Sequence, residues 1–255
     1  MKKAIVLVSF GTTFKETREK NLDRIRKDLE ESFPDFEVFE AYTSNIVRKR
    51  IKENEGIEYP RVDEILPGLK EEGFEEIYLQ PSHVIPGIEY RKALGQMEEH
   101  LCDNVLIKMG TPLLYDLEDY LAVAGAFKTK FKDLGEDEAV LFMSHGTESP
   151  SFTSYVAVDY FFQGSNIYSA CVEGYPGLDL ALPQLKKGSY RKIHLYPFMI
   201  VAGDHAHNDM AGDSEDSWAK ILEKEGYETE EHLVGLGEEK LIRDIFVEKT
   251  RKLIS

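Results

Sequence analysis

Short apolar runs alternate along this chain with longer stretches in which apolar residues recur every three or four positions. The runs at 3–8, 36–41, 75–80 and 104–109 read as strands. Between them lie helical patterns at 14–32, 45–54, 61–72 and 89–101. In the first, Leu22, Ile25, Leu29 and Phe33 share one face and Pro34 stops the helix. Thr13 and Glu16 have capping-box spacing at its start, and Pro67 predicts a kink or split in the third helix. The order then repeats. Strands are expected at 139–143, 167–172, 193–199 and 232–234, with helices at 117–134, 155–162, after 178, from 218 and at 241–253. A polar loop fills 202–216. Strands that alternate with helices form parallel sheets with crossover helices, and runs apolar throughout, such as Ala4 to Val8, are buried on both faces.

The repetition extends to particular residues. Ser9-Phe10-Gly11-Thr12 matches Ser144-His145-Gly146-Thr147, each after an apolar strand. Glu40-Ala41-Tyr42-Thr43 resembles Glu173-Gly174-Tyr175-Pro176, and Ile77-Tyr78-Leu79-Gln80-Pro81 resembles Ile193-His194-Leu195-Tyr196-Pro197. In the last register Gly87 falls on Gly203 and Glu89 on His205. The expected architecture is α/β: two similar lobes, each a parallel sheet flanked by helices, with a cleft between them. Residues 1–115 form the N-terminal lobe and 116–255 the C-terminal lobe, whose closing helix is free to pack back on the first. Equivalent loops would set Phe10 opposite His145 and Glu89 opposite His205.

At 255 residues, 42% of them hydrophobic, the chain can bury a sizeable core. A net charge of −16 argues against nucleic acid or an anionic membrane as partner. The first apolar run is too short for a signal peptide, and no run approaches transmembrane length. Cys102 and Cys171 form no CxxC pair, which fits a reduced cytoplasm. No GxGxxG, GxxxxGK[ST] or GxSxG motif follows a strand, so neither a bound nucleotide nor a serine nucleophile is signalled.

Ligands of open α/β sheets collect beyond the carboxyl ends of the strands. Three residues of the second lobe occupy such ends: His145, Glu173 and His205. Two imidazoles and a carboxylate suit a divalent first-row metal and leave coordination positions open. His207 competes with His205, because residues two apart point the same way in an extended segment; the repeat register favours His205. In the first lobe, Glu89 is either a cleft carboxylate or an acid favoured by its helix dipole. Phe10 either stacks on a flat ligand or caps the core, and His83 lies near the site or is a bonded loop histidine. Arg48, within Arg48-Lys49-Arg50-Ile51-Lys52, either receives a polycarboxylate or belongs to a solvated helix face.

These residues resemble the anaerobic sirohydrochlorin cobaltochelatases, within the ferrochelatase-like class of tetrapyrrole chelatases. The resemblance rests on Val8-Ser9-Phe10-Gly11-Thr12, Met143-Ser144-His145-Gly146 and Val201-Ala202-Gly203-Asp204-His205 running on to Asn208-Asp209-Met210. Glu173-Gly174-Tyr175-Pro176 and Gly235-Leu236-Gly237-Glu238 also carry it. It implies a chelatase-like fold, with His145, His205 and Glu173 as metal ligands and Glu89 on the opposite wall. It further implies ATP-independent insertion of Co²⁺ into sirohydrochlorin in cobalamin synthesis. Insertion of Fe²⁺ or Ni²⁺, or a non-catalytic metal or tetrapyrrole carrier, is the alternative. A homo-oligomer is compatible with all of these.

Overall fold

The computed structural model describes residues 2–255 and divides the chain into two compact units. Of the described residues, one comprises those up to 115 together with 237–255; the other comprises 116–236. Unit 1 opens with β1 (Lys2–Ser9), α1 (Lys15–Ser32), β2 (Glu37–Tyr42), α2 (Asn45–Glu55), α3 (Val62–Glu71), β3 (Phe74–Pro81), α4 (Ile88–Glu98) and β4 (Leu106–Met109). Its four strands are parallel, in the order β2-β1-β3-β4. β1 is central and buried from Ala4 onward, as a strand flanked on both sides and covered on both faces must be. Ala4, Val6 and Val8 point to one face, where Val62, Leu66, Leu69, Ala93 and Met97 from α3 and α4 close over them.

Unit 2 repeats the plan with α5 (Leu117–Lys130), β5 (Glu138–Ser144), α6 (Thr153–Phe162), β6 (Ile167–Cys171), α7 (Leu178–Leu185), β7 (Lys192–Phe198), α8 (Trp218–Lys224) and β8 (Glu228–Glu231). Its sheet order, β6-β5-β7-β8, is that of unit 1 with equivalent strands in equivalent places. One face carries Ala139, Leu141 and Met143 beneath Leu185, Met210, Trp218 and Leu222. The other face is aromatic: Phe142 lies among Phe127, Phe131, Phe162, Tyr196 and Phe198, with ring centroids 4.7–6.2 Å from its own. The last helix, α9 (Lys240–Ile254), belongs to unit 1, where it packs against α1 and β3. Arg243 Nε donates to Asp28 of α1 at 2.6 Å, and Thr250 Oγ1 donates to Gln80 of β3 at 3.2 Å. Residues 237–255 therefore fold apart from the unit that chain order assigns them to.

Four local expectations change. The last strand lies at Glu228–Glu231, not 232–234; Glu-Thr-Glu-Glu has no apolar residue, and backbone pairing with β7 alone makes it an edge strand. The expected Thr13–Glu16 box is absent: Phe14 is the N-cap of α1, and its N–H donates to Thr12 Oγ1 at 3.3 Å. Pro67 sits inside α3 without dividing it. The polar loop after β7 is not extended, because it coils into a helical turn at 204–205 and a π-turn over Ala206–Met210.

Candidate metal centre

Three strand ends of unit 2 supply the centre. β5 runs out at Ser144, and Gly146 turns the chain with φ +91°, a conformation that L side chains rarely adopt. There is no room for one: a Cβ at Gly146 would stand 1.5 Å from the carbonyl oxygen of Glu173. The close approach lets the sheet pairing continue past the strands, with Val172 N–H donating to Ser144 O and Glu173 N–H to His145 O, each at 2.9 Å. His145 and Glu173 are thus fixed side by side by backbone.

His205 comes from the turn after β7, where Asp204 and His205 are helical. The coil corrects the reading of His205 and His207 as neighbours on one side of an extended segment. In a helix, residues two apart face different ways, and residues four apart share a face. His205 Nδ1 accordingly donates to Asp209 Oδ2 at 2.7 Å, while His207 is exposed. The turn brings the His205 ring to the His145 ring, with centroids 4.7 Å apart and planes at 86°.

The carboxylate lies between them. Glu173 Oε2 is 4.0 Å from His145 Nδ1, and Glu173 Oε1 is 4.0 Å from His205 Nε2. Its side chain is 63% exposed, so nothing stops it swinging toward an ion. The neighbouring acceptors set the imidazole tautomers. Asp209 takes the Nδ1 proton of His205, and the carbonyl of Gly146, 3.2 Å from His145 Nδ1, takes the other. Both rings then present an unprotonated Nε2. A ligating histidine whose second nitrogen donates to a carboxylate or carbonyl is the usual arrangement at metal sites. Beside these residues an open pocket is lined by Thr147, Glu148, Phe152, Gly174 and Tyr175, with the Phe152 and Tyr175 rings edge to face at 5.9 Å.

The Phe152–Tyr175 pair did not emerge from the sequence as a functional candidate. Asp209 lies in the donor-rich stretch that carries the family resemblance, but its pairing with His205 rests on a four-residue spacing that has meaning only once the loop is known to be helical.

The candidates in unit 1 are separate in kind. Phe10 is 50% exposed at the end of β1. Glu89 stands in the first turn of α4, two residues beyond Gly87, as His205 stands two beyond Gly203. Its Oε2 is buried without a hydrogen bond, and Lys92 Nζ lies 3.8 Å away. His83 Nε2 is 3.5 Å from Thr43 Oγ1, and burial pushes its imidazole down to about 4, so the ring is neutral near pH 7. Arg48 is tied within the unit: Nε donates to Tyr59 O at 2.6 Å, one Nη to Glu64 at 2.5 Å and the other to Asn45 at 3.4 Å.

The structure also corrects one repeat. β1 pairs Ser9 with Tyr42, and β5 pairs Ser144 with Cys171. Beyond the pairs, Ser44 N–H donates to Phe10 O just as Glu173 N–H donates to His145 O. The unit 1 counterpart of Glu173 is therefore Ser44, and Glu40, four residues earlier, is the counterpart of Ser169 inside the sheet. The other two matches hold in register: Ala4 pairs with Ile77, and Ala139 with Ile193.

The family model for cobalt chelatase (CbiK) matches residues 3–255. The sirohydrochlorin cobaltochelatase of Salmonella typhimurium is 34% identical over 249 residues, spanning 97% of this chain and 94% of its own. The sirohydrochlorin cobaltochelatase CbiKC of Nitratidesulfovibrio vulgaris is 30% identical, spanning 100% of this chain and 91% of its own. Among solved structures, SirB from Bacillus subtilis with Fe³⁺ superposes with a TM-score of 0.68 at 13% identity, covering 99% of this chain and 96% of that one. CbiX, described as the terminal enzyme for biosynthesis of siroheme in denitrifying bacteria, gives 0.60 at 13% identity, covering 99% and 100%. At that identity the likeness is one of fold: each unit is half of a chelatase fold.

Proposed function

The chain belongs to the cobalt chelatase (CbiK) family, and we propose from that premise that it inserts Co²⁺ into sirohydrochlorin, without ATP, in anaerobic cobalamin synthesis. The observation that carries this reading is the meeting of His145, Glu173 and His205 at the carboxyl edge of one sheet, in a chain alike over nearly its whole length to sirohydrochlorin cobaltochelatases. No nucleotide takes part; the reaction exchanges one divalent cation for two pyrrole N–H protons and needs no phosphoryl group.

Co²⁺ is the substrate metal. His145 Nε2, His205 Nε2 and the Glu173 carboxylate hold it in an incomplete shell, and Asp209 keeps the His205 lone pair pointed outward. The macrocycle reaches the ion along the pocket floored by Phe152 and Tyr175, and its nitrogens replace the protein ligands in turn. Of the unit 1 candidates, Phe10 offers a ring for stacking on a flat macrocycle, His83 is a substrate-binding residue, and Glu89, whose Oε2 has Lys92 Nζ 3.8 Å away, accepts a departing proton. Arg48, spent on Tyr59, Glu64 and Asn45, contributes to substrate binding only by giving up one of those contacts. Nitrogen and oxygen donors favour Ni²⁺ over Co²⁺ and Co²⁺ over Fe²⁺, so preference for cobalt comes from geometry or supply, not affinity. The reaction is placed in the cytoplasm, which the two free cysteines suit.

The test is an anaerobic assay of the full chain with sirohydrochlorin and Co²⁺, Fe²⁺ or Ni²⁺, followed by the macrocycle's absorbance. We expect repeated turnover with Co²⁺ and its loss in His145→Ala with the fold intact. Stoichiometric uptake without turnover would make the protein a carrier, and an undiminished rate in His145→Ala would remove the centre.

A further inference from the structure

A second cluster of metal-ligating side chains lies on the aromatic face of unit 2, toward the amino end of the sheet, away from the strand ends that carry His145 and His205. In the parallel register of β7 and β8, His194 stands beside Glu230. His232 follows Glu230 by two residues, and its N–H donates to Leu195 O at 2.9 Å, which continues the pairing. The two-residue period puts His194, Glu230 and His232 on one face. His194 Nδ1 is 3.1 Å from His232 Nε2, Glu230 Oε2 is 3.5 Å from His194 Nδ1, and Glu230 Oε1 is 3.5 Å from His232 Nε2. Ligand atoms about 2.0–2.1 Å from a tetrahedral ion stand about 3.3–3.4 Å apart. Among the described residues, this is the group of three whose ligand atoms all fall within 4.8 Å of one another.

Hydrogen bonding points the same way. His194 Nε2 is buried without a hydrogen-bond partner and faces Glu138 Oε2 at 3.7 Å. A neutral imidazole has one N–H. If it sits on Nδ1, toward His232, the bare Nε2 faces a carboxylate. If it sits on Nε2, toward Glu138, the Nδ1 lone pair either accepts the Nε2–H of His232 at 3.1 Å or is free to bind a cation. With a cation between the rings, His194 Nδ1 and His232 Nε2 both bind it and His194 Nε2–H turns to Glu138, the carboxylate–histidine–metal arrangement. The rings are already held. His232 stacks on Tyr196 with centroids 4.1 Å apart and planes at 4°, and Lys192 pairs with Glu230.

We propose that His194, Glu230 and His232 form a second site for a divalent first-row transition metal such as Co²⁺ or Zn²⁺, with Glu138 supporting His194, and that the bound ion clamps the polar edge strand β8 to β7. Two imidazoles and one carboxylate select these ions over Mg²⁺ and Ca²⁺, which favour oxygen.

The test is run in the full-length His145→Ala/His205→Ala variant, so that its outcome does not depend on the reading of the first centre. After equilibrium dialysis against Co²⁺ or Zn²⁺, we expect one tightly bound equivalent by elemental analysis and an upward shift of Tm. Both should be lost when His194→Gln and His232→Gln are added. Glu230→Gln, at an exposed position, is the second variant; it should weaken binding at least tenfold without disturbing the apo fold. A His145→Ala/His205→Ala protein that holds no metal, or an equivalent that survives the changes at residues 194 and 232, overturns the proposal. In the first case, the His194–His232 contact is satisfied by a shared proton alone.

Discussion

Ser9-Phe10-Gly11 ends the central strand of unit 1, and Ser144-His145-Gly146 ends that of unit 2, on one backbone. Gly11 and Gly146 turn at φ +92° and +91°, and the next strand in each unit extends its pairing by two more N–H bonds. The third strand of each leads through a glycine into a helical turn, with Glu89 and His205 two residues on. Yet unit 2 brings two imidazoles, a carboxylate and Asp209 to neighbouring strand ends, with the His145 and His205 ring centroids 4.7 Å apart and Glu173 4.0 Å from each ring. Unit 1 offers an exposed ring at Phe10, a capping hydroxyl at Ser44 and buried Ala93 four residues after Glu89. The parallel α/β scaffold fixes where loop residues emerge; side-chain identity alone decides whether those places hold a cation.

The glycines test the comparison most severely. Gly146→Ala sets a Cβ 1.5 Å from the backbone carbonyl oxygen of Glu173, whereas Gly11→Ala meets side chains only, the Tyr42 ring at 2.6 Å and Val47 at 3.0 Å. Chemical denaturation should give a loss of about 4 kcal/mol or more for Gly146→Ala and about 1–3 kcal/mol for Gly11→Ala, from strain at positive φ plus the clash. Equal losses would mean that the two turns are not distinguished by that contact.

Glu40 and its unit 2 counterpart Ser169 come next. Burial raises the Glu40 carboxyl from 4.5 to about 7, against the pull of Arg26 at 3.7 Å. An acid with its pKa raised by folding binds its proton more tightly folded than unfolded. Its contribution is therefore most favourable below the unfolded value, and it declines as the pH climbs from 4.5 to about 7. Glu40→Gln should stabilise the protein by roughly 2–3 kcal/mol more at pH 8 than at pH 4.5, from about 1.4 kcal/mol per pH unit. A gain independent of pH would show that the buried charge is not its source.

The smallest effect separates Asp209 from its counterpart Ala93. Asp209→Asn keeps the shape and removes the charge that orients His205, so Co²⁺ affinity should fall about 10–100-fold, as for other outer-shell carboxylates. Calorimetric titration reads this directly, and an unchanged affinity would leave the 2.7 Å bond to His205 without a functional role.

The strand and helix order was legible in the chain because central strands must be apolar on both faces and helices must bury one stripe. The exceptions follow from the same rule. β8 escaped because an edge strand needs only backbone partners, and α9 could not be assigned to unit 1 because its apolar stripe does not say which sheet it covers. At the candidate centre, His145, Glu173 and His205 were legible from their positions at strand ends, and His145 and His205 also from the repeat. The match of Glu40 to Glu173 was not sound: two short similar words can sit four residues apart in register, and hydrogen bonding settles which is right.

The sequence by itself determined the order of elements, the strand ends where chemistry gathers, and the residue types that can bind a divalent cation. Tertiary structure alone decided that the loop after β7 coils, so that Asp209 and not His207 accompanies His205, and that His194 meets Glu230 and His232 across two parallel strands. The physical reason is range. Burial and periodicity act through neighbours a few residues apart, whereas a metal site is closed by side chains that only strand register brings within 4 Å of one another.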